Sequence, residues 1–336
     1  MKSVITRIGI FLLIALAASA AQTNAPKPAP APTRWLGLIG EYGPDNNILY
    51  ILEKDAKLQA SFKRAEPEPL QEISQNVFTF AAGPHANQRL VFTRNRSGRA
   101  TEVKLDTTTL ARRRIEPEAG ANQLRVTPVR PVAELIKEAL TAKPPAESGN
   151  FRQPELVELI KLDPTIRLDI RYATTNNLFG SVFYAEPRAF MQRRAAEALV
   201  RVSQKLKPRG YGLLVHDAYR PWYVTKVFWD ATPNNKKIFV ADPAKGSRHN
   251  RGCAVDLTLY DLKTKKPVET VSTYDETTDR AYPNYPGGTS LQRWHRDLLR
   301  AAMEAEGFTV YEAEWWHFDY KDWQQYPILN IRFDQI

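Results

Sequence analysis

The sequence predicts an α+β protein with two folded units, a small antiparallel β domain followed by a larger domain of mixed strands and helices. Residues 35–129 alternate short apolar segments with Gly, Pro and Asn turns, which is typical of antiparallel strands. Residues 151–336 instead place amphipathic helical stretches between apolar strands, without regular βαβ alternation. A chain of 336 residues, of which 43% are hydrophobic, can form two cores.

The N-terminal segment predicts export. Lys2 and Arg7 precede an apolar run over residues 8–17, and residues 18–20 are the small residues that a signal peptidase requires. The run is shorter than the about 20 apolar residues of a membrane-spanning helix, and no cysteine follows it to carry a lipid. We therefore predict a signal peptide over residues 1–21 and a periplasmic or secreted protein without a stable membrane anchor.

A proline-rich linker over residues 22–34 leads into the predicted β-rich accessory domain, residues 35–143. We assign no chemistry to this domain. A helix over residues 132–142 comes at its end, and the Pro- and Gly-containing residues 143–150 then break the pattern. Strands of the accessory domain are predicted at residues 48–52, 58–62, 77–80, 90–93 and 102–105.

The second domain, residues 151–336, carries the chemistry. Its predicted helices are residues 189–206, 222–229 and 291–306, and its predicted strands are residues 211–215, 254–260 and the aromatic segment 308–320.

Charge and cysteine content narrow the function classes. The chain has 47 Lys and Arg against 37 Asp and Glu, a net charge of +10. Because this charge is dispersed, without a long basic run or a Gly-rich phosphate loop, it does not predict a nucleic-acid partner. This positive charge fits an anionic polymer such as a cell wall as well as it fits nucleic acid. Cys253 is the single cysteine, so no intrachain disulfide can form. The sequence gives no indication of an oligomeric state.

Two short segments contain the residue types of a hydrolytic metal site. The first contains His249 and Asp256, and the second contains Glu314 and His317. Catalytic zinc takes three protein ligands and leaves a position for water, and two imidazoles with one carboxylate meet that count. Glu314 is then left as the natural proton acceptor beside the water.

Local geometry sets conditions on this interpretation. Residues three apart on a regular strand point to opposite faces, so Glu314 and His317 can share a site only if the backbone turns between them. Gly252 permits a similar bend between His249 and Asp256.

The two segments extend into longer motifs, Ser-x-His-x-x-Gly-x-Ala-x-Asp over residues 247–256 and Glu-x-x-His over residues 314–317. Together with residues 169–174 and 219–221, they resemble the bacterial D-alanyl-D-alanine dipeptidases of the VanX type. The resemblance covers about residues 151–336. It implies the hedgehog-like catalytic fold of the zinc D,D-peptidases.

The resemblance also implies residue roles. His249, Asp256 and His317 would bind one Zn²⁺ per chain, with Glu314 as the catalytic base. Arg220 would stabilise the charge that builds on the attacked carbonyl oxygen. For substrate binding, the resemblance implies three further residues. Asp275 would receive the free amino group of a dipeptide and so enforce its length, Ser247 would add a hydrogen bond at that end, and Tyr184 would help to shape the pocket.

The predicted function is zinc-dependent hydrolysis of D-alanyl-D-alanine to two D-alanines. Two alternatives stay open, a D,D-carboxypeptidase acting on peptidoglycan stem peptides and a non-catalytic module that binds the cell wall. The partner is accordingly a small D,D-dipeptide or a peptidoglycan-derived peptide. Asp275 separates the two enzymes, because a carboxylate that binds a free amine should exclude longer acyl chains. Glu314 argues for catalysis, since loss of the base is the simplest route to a binding module.

Overall fold

The computed structural model describes residues 26–113 and 125–336, and the predicted signal peptide lies outside them. Residues 26–32 of the predicted linker have no regular structure, and Lys27 lies over the ring of Tyr211, 5.3 Å from its centroid. None of the described helices combines the length and apolar character that crossing a bilayer requires.

The N-terminal unit is an eight-stranded antiparallel sheet in which each strand pairs with the next. A short helix, α1 (Thr33–Leu36), precedes it. Its strands are β1 (Gly40–Tyr42), β2 (Leu49–Lys54), β3 (Lys57–Phe62), β4 (Glu68–Ser74), β5 (Val77–Phe80), β6 (Arg89–Arg94), β7 (Ala100–Leu105) and β8 (Thr108–Ala111).

The first and last strands join, which closes the sheet into a barrel. Tyr42 bridges Arg112, and the backbone N–H of Gly43 donates to Ala111 O at 2.8 Å. The interior is filled with side chains of alternate residues, as a small barrel requires. These include Leu49, Ile51, Phe78, Phe80, Leu90, Phe92 and Val103.

All five strands predicted for this unit are present, but three others were not predicted. The strands β1 and β8 are only three and four residues long, and β4 begins with Glu68 and Pro69. Such short or polar segments show too little apolar alternation to be recognised from sequence alone.

The C-terminal unit is built on a five-stranded sheet in the order β10-β12-β13-β15-β14. Only the β10–β12 pair is parallel, and β9 and β11 form a separate antiparallel pair. The strands are β9 (Leu156–Glu158), β10 (Arg167–Leu168), β11 (Phe190–Gln192), β12 (Tyr211–Asp217), β13 (Ala254–Asp261), β14 (Phe308–Tyr311) and β15 (Glu314–Tyr320).

Five helices accompany these strands: α2 (Val132–Thr141), α3 (Leu159–Leu162), α4 (Arg193–Leu206), α5 (Trp222–Ala231) and α6 (Ser290–Glu304). The start of α6 is fixed by a capping box between Thr289 and Gln292. The apolar faces of α4 and α6 bury residues such as Leu199 and Leu298 in the core of this unit.

Two sequence predictions need correction. The helix predicted over residues 189–206 begins only at Arg193, because Phe190–Gln192 pairs with β9 as a strand. The helix predicted at the end of the accessory domain, α2, buries Leu135 and Ala139 in the core of the C-terminal unit. An amphipathic pattern identifies a buried face but not the unit against which that face packs.

Candidate active site

A cavity of about 560 Å³ opens at one end of the C-terminal sheet, where β13 and β15 meet the loops around them. Seven of the eight predicted site residues line it. Six of them also face one another from different parts of the chain, namely Arg220, His249, Asp256, Asp275, Glu314 and His317. Ser247 lines it as well, whereas Tyr184 lies elsewhere.

The three predicted metal ligands are adjacent and buried. His249 lies on a 3-10 turn (Arg248–Arg251) that ends at Gly252, whose φ of +69° provides the expected bend before β13. Asp256 on β13 and His317 on β15 are directly opposed in the antiparallel ladder. Backbone pairing therefore fixes two of the three side chains, and the glycine turn brings in the third.

Their ligand atoms form a small triangle. Asp256 Oδ1 lies 2.9 Å from His317 Nδ1 and 3.5 Å from His249 Nε2, and the two nitrogens are 3.2 Å apart. Ligands at about 2.0–2.1 Å from a tetrahedral ion are roughly 3.3 Å from one another. Asp256 Oδ1 is buried, yet it has no partner in hydrogen-bond geometry. An orphaned carboxylate oxygen beside two imidazole nitrogens fits a divalent cation.

Hydrogen bonds on the far side of each imidazole determine which ring nitrogen faces the centre of this triangle. His249 Nδ1 donates to Ala218 O at 2.7 Å, which leaves Nε2 free as an acceptor. His317 Nε2 lies 3.0 Å from Asp319 Oδ1, which leaves Nδ1 for the site. The hydroxyl of Tyr274 donates to the second oxygen of Asp256 at 3.1 Å. Such hydrogen bonds on the far side of each side chain fix its orientation before an ion binds.

Glu314 reaches the same site through an irregularity in β15. Val310 pairs with Phe318, but the next residue, Tyr311, pairs with Glu314, so three residues of β15 bulge away from β14. This is the backbone turn that the sequence required, and it places Glu314 Oε2 at 3.8 Å from His317 Nδ1. Burial raises the pKa of Glu314 above its ordinary value.

Arg220 follows β12 and is held on several sides. Its Nε and Nη2 donate to Asp217 Oδ2 at 3.0 and 2.7 Å, and the guanidinium lies 5.4 and 4.8 Å from the ring centroids of Tyr172 and Phe228. Tyr184, predicted to shape the pocket, lies behind this pair, where its hydroxyl donates to Asp217 Oδ1 at 2.8 Å. It therefore positions the partner of Arg220.

Asp275 faces the cavity from the loop between β13 and α6. Its backbone is in the left-handed region with φ +61°, and the hydroxyl of Tyr172 donates to Oδ2 at 3.1 Å. Burial, followed by the negative charges of Asp256 and Glu314, raises its pKa to about 8. Ser247 uses its hydroxyl locally, since Oγ accepts the backbone N–H of His249 at 3.2 Å.

Three residues that support these groups were not predicted from the sequence, namely Asp217, Tyr274 and Asp319. Only Asp319 had a usable signal, because it is two residues after His317 on a strand and so shares its face. His216 had no predicted role. It stacks on Tyr274 at a centroid distance of 4.8 Å, and its Nδ1 lies 3.3 Å from Asp169 Oδ2.

The unit that contains this cavity is similar to known peptidases. Residues 152–334 match the peptidase family described as D-ala-D-ala dipeptidase. The D-alanyl-D-alanine dipeptidase of Escherichia coli is 32% identical over 179 residues, which is 53% of this chain and 91% of that protein. The enzyme of the same name from Enterococcus faecium is 34% identical over 187 residues, with 50% and 91% covered. The chain therefore belongs to the D-ala-D-ala dipeptidase family and is an enzyme of the metallopeptidase class.

Proposed function

We propose that this protein is a zinc-dependent dipeptidase that hydrolyses D-alanyl-D-alanine to two D-alanines. The observation that carries the proposal is the convergence of His249, Asp256 and His317 beside Glu314 and Arg220 in one cavity. The names of the relatives, all D-alanyl-D-alanine dipeptidases, support the substrate.

Two imidazoles and one carboxylate are the ligand set that suits catalytic zinc. A bound ion of this kind would polarise the scissile carbonyl and lower the pKa of a water molecule toward about 7. Asp319 and Ala218 O keep the two imidazoles in the required orientation.

Glu314 accepts a proton from the attacking water and returns it to the leaving amine. Its raised pKa suits this role, because a general base works best when its pKa is near the working pH. Arg220 stabilises the negative charge that develops on the carbonyl oxygen. The guanidinium does not have to reorganise during the reaction, since Asp217 and two aromatic rings already hold it.

Asp275 receives the ammonium group of the free dipeptide. The expected result for Asp275→Asn, which tolerates the same backbone conformation, is a KM for D-alanyl-D-alanine raised about tenfold or more with a smaller change in kcat.

The affinity for the dipeptide should also depend on pH. Because the ionised carboxylate is the binding form, KM of the wild type should increase as the pH falls through the pKa of Asp275. In the metal-free protein that pKa is about 8, and the positive charge of a divalent ion beside Asp256 would lower it. Initial rates between pH 6 and 9 measure both effects, and the variant should lack this pH dependence of KM.

A substrate panel tests the proposal as a whole. Purified protein is incubated with D-Ala-D-Ala, N-acetyl-D-Ala-D-Ala and a muropeptide pentapeptide, with and without a chelator, and free D-alanine is measured. Chelator-sensitive release from the free dipeptide alone is expected. Release from the blocked or wall-derived peptides would instead identify a D,D-carboxypeptidase, and release from none of them would favour a binding module.

Metal loading should release a proton. Burial by itself lowers the pKa of His317, but the adjacent carboxylates of Asp256 and Asp319, at 2.9 and 3.0 Å, outweigh it and raise the pKa to about 10. At pH 7 the metal-free imidazole is therefore protonated on both nitrogens, and Nδ1 must lose its proton to bind an ion. Calorimetric titration with Zn²⁺ in two buffers of different ionisation enthalpy should show about one proton released per ion. Equal apparent enthalpies in the two buffers would contradict this.

We also propose that the protein is exported, with residues 1–21 as a cleaved signal peptide, the β-rich domain as an accessory unit and the catalytic unit in the hedgehog-like fold. The basic start and the apolar run support export. Mass spectrometry of the protein from the culture medium or periplasm should find a mature N-terminus near residue 21 or 22.

A further inference from the structure

The loop over residues 271–289, which we call the substrate loop, forms one wall of the cavity and carries Asp275. Its single regular element is the 3-10 turn Asp279–Ala281. Thr278, Asp279 and Tyr282 line the cavity beyond Asp275. The position of this wall therefore decides where a substrate amine meets a carboxylate.

The first half of the substrate loop is tied together internally. Thr278 Oγ1 donates to Glu276 Oε1 at 2.5 Å, and Arg280 Nε lies 3.3 Å from the same oxygen. Arg280 Nε also donates to Val271 O at 2.9 Å. These bonds enclose Asp275, so a displacement of residues 278–281 also moves Asp275.

The second half of the loop is attached to the barrel. Glu41 on β1 is buried, and its Oε1 accepts the hydroxyl of Tyr285 at 2.8 Å while its Oε2 accepts Arg113 Nε at 3.0 Å. The ring of Tyr50, on β2, meets the Tyr285 ring edge-on at a centroid distance of 6.0 Å. The side chain of Tyr285 is thus held by residues of the barrel.

Glu53, near the end of β2, fixes the exit of the loop. Its Oε2 accepts the backbone N–H of Ser290 at 2.7 Å and its Oε1 accepts the Ser290 hydroxyl at 3.1 Å. Its backbone N–H donates to Gly288 O at 3.1 Å, and its carbonyl accepts Arg293 Nη2 at 2.6 Å. Arg293 Nη1 donates in turn to the carbonyls of Pro286, Gly287 and Gly288.

These attachments order the loop in which Asp275 holds its left-handed backbone conformation. A residue other than glycine at φ +61° is strained, and such a conformation persists only where the surroundings determine it. A 19-residue loop with one short turn has few backbone bonds of its own, so bonds from outside must supply the order. The family match starts at residue 152, so Glu41 and Glu53 come from outside the matched region.

We propose that the barrel is a positioning module for the substrate loop, and that Glu41 and Glu53 are positioning residues that set the affinity of the site for the substrate amine. This inference rests on the proposed role of Asp275 as the acceptor of that amine. Binding to a preorganised loop avoids the entropy cost of ordering it, so the barrel acts on KM.

Two variants test this without touching the cavity. Glu53→Gln replaces one carboxylate oxygen with an NH₂ group, which cannot accept a hydrogen bond. Both oxygens of Glu53 accept backbone N–H groups, one from Ser290 and the other from Ala56 at 2.8 Å, so the variant must lose one of these bonds. Tyr285→Phe removes the hydrogen bond to Glu41 without changing any residue of the barrel. The matched control is Glu68→Gln, since Glu68 also receives an N–H on each oxygen, in this case from His85, but within the barrel.

Each variant is assayed with D-Ala-D-Ala and by hydrogen exchange of the intact protein. For Glu53→Gln and Tyr285→Phe we expect KM to rise about fivefold or more with kcat within about twofold, and amide exchange to accelerate selectively in residues 271–289. Glu68→Gln should change neither KM nor the exchange of the loop.

Two outcomes would overturn the proposal. One is that both variants leave KM and loop exchange unchanged. The other is that amide exchange becomes faster throughout the chain, in the Glu68→Gln control as well as in the two variants. A wild type inactive on the dipeptide would refute the proposed function, while the exchange data would still test the attachment of the loop.

Discussion

Replacing Glu314 with Gln is expected to lower kcat by about 10²–10⁴-fold, the usual contribution of a positioned general base. The amide keeps the shape of the side chain but cannot accept the proton of the attacking water. Metal binding should persist, because Glu314 is not one of the three clustered residues that we propose as ligands. Initial rates of D-alanine release, with metal content measured by mass spectrometry, check both parts of this expectation.

Glu312→Gln is the matched control, because Glu312 is an exposed carboxylate only two residues away in the same hairpin. It should retain wild-type kcat. A Glu314→Gln enzyme that turns over at the wild-type rate would exclude Glu314 as the base. Loss of the bound metal together with activity would instead assign Glu314 to metal binding.

The second large effect is expected at Arg220. Arg220→Lys should reduce kcat/KM for D-alanyl-D-alanine by about 10²–10³-fold, similar to the removal of one oxyanion donor. Asp217 Oδ2 accepts two N–H groups of the guanidinium, and a lysine ammonium cannot reproduce that fork while also facing the substrate. Steady-state kinetics on the free dipeptide measure the loss.

Arg171→Lys provides the control, since Arg171 also pairs with an aspartate, Asp169 at 2.6 Å, but is not among the cavity-lining residues. Its kcat/KM should stay near the wild-type value. Arg220→Met should in addition destabilise the fold by about 3–5 kcal/mol, because it leaves the buried carboxylate of Asp217 without its charge partner. A loss of activity in Arg220→Lys with an equal loss in Arg171→Lys would argue against a specific role in the reaction.

The sequence identified seven residues that line the cavity, but not the residues that support them. The residue types of His249, Asp256 and His317 indicate a metal site, and Gly252 permits a bend between the first two. By contrast, Asp217 and Tyr274 act through hydrogen bonds that exist only after distant strands have paired. No local pattern distinguishes such a carboxylate or phenol from any other buried polar group.

In the barrel, too, local patterns could be predicted from the sequence and long-range contacts could not. Strands such as β2 and β5 contain short runs of apolar residues, and the sequence identified them. The closure between Tyr42 and Arg112 joins residues 70 positions apart, and the attachment of Glu53 to Ser290 joins residues 237 apart. The turn-rich alternation of the sequence is compatible with either an antiparallel sheet or a barrel. Neither of these two contacts leaves a periodic signal, so the closure and the link to the substrate loop could not be predicted.

Closure of the barrel also restricts how other molecules can recognise it. Each of its eight strands has a hydrogen-bonded neighbour on both sides, with Tyr42 and Arg112 completing the ring. Within the described residues, an incoming peptide therefore finds no free edge strand to which a further strand could be added. A partner of the barrel is expected to contact side chains and turns on its outer surface, and edge-to-edge association between copies is disfavoured for the same reason.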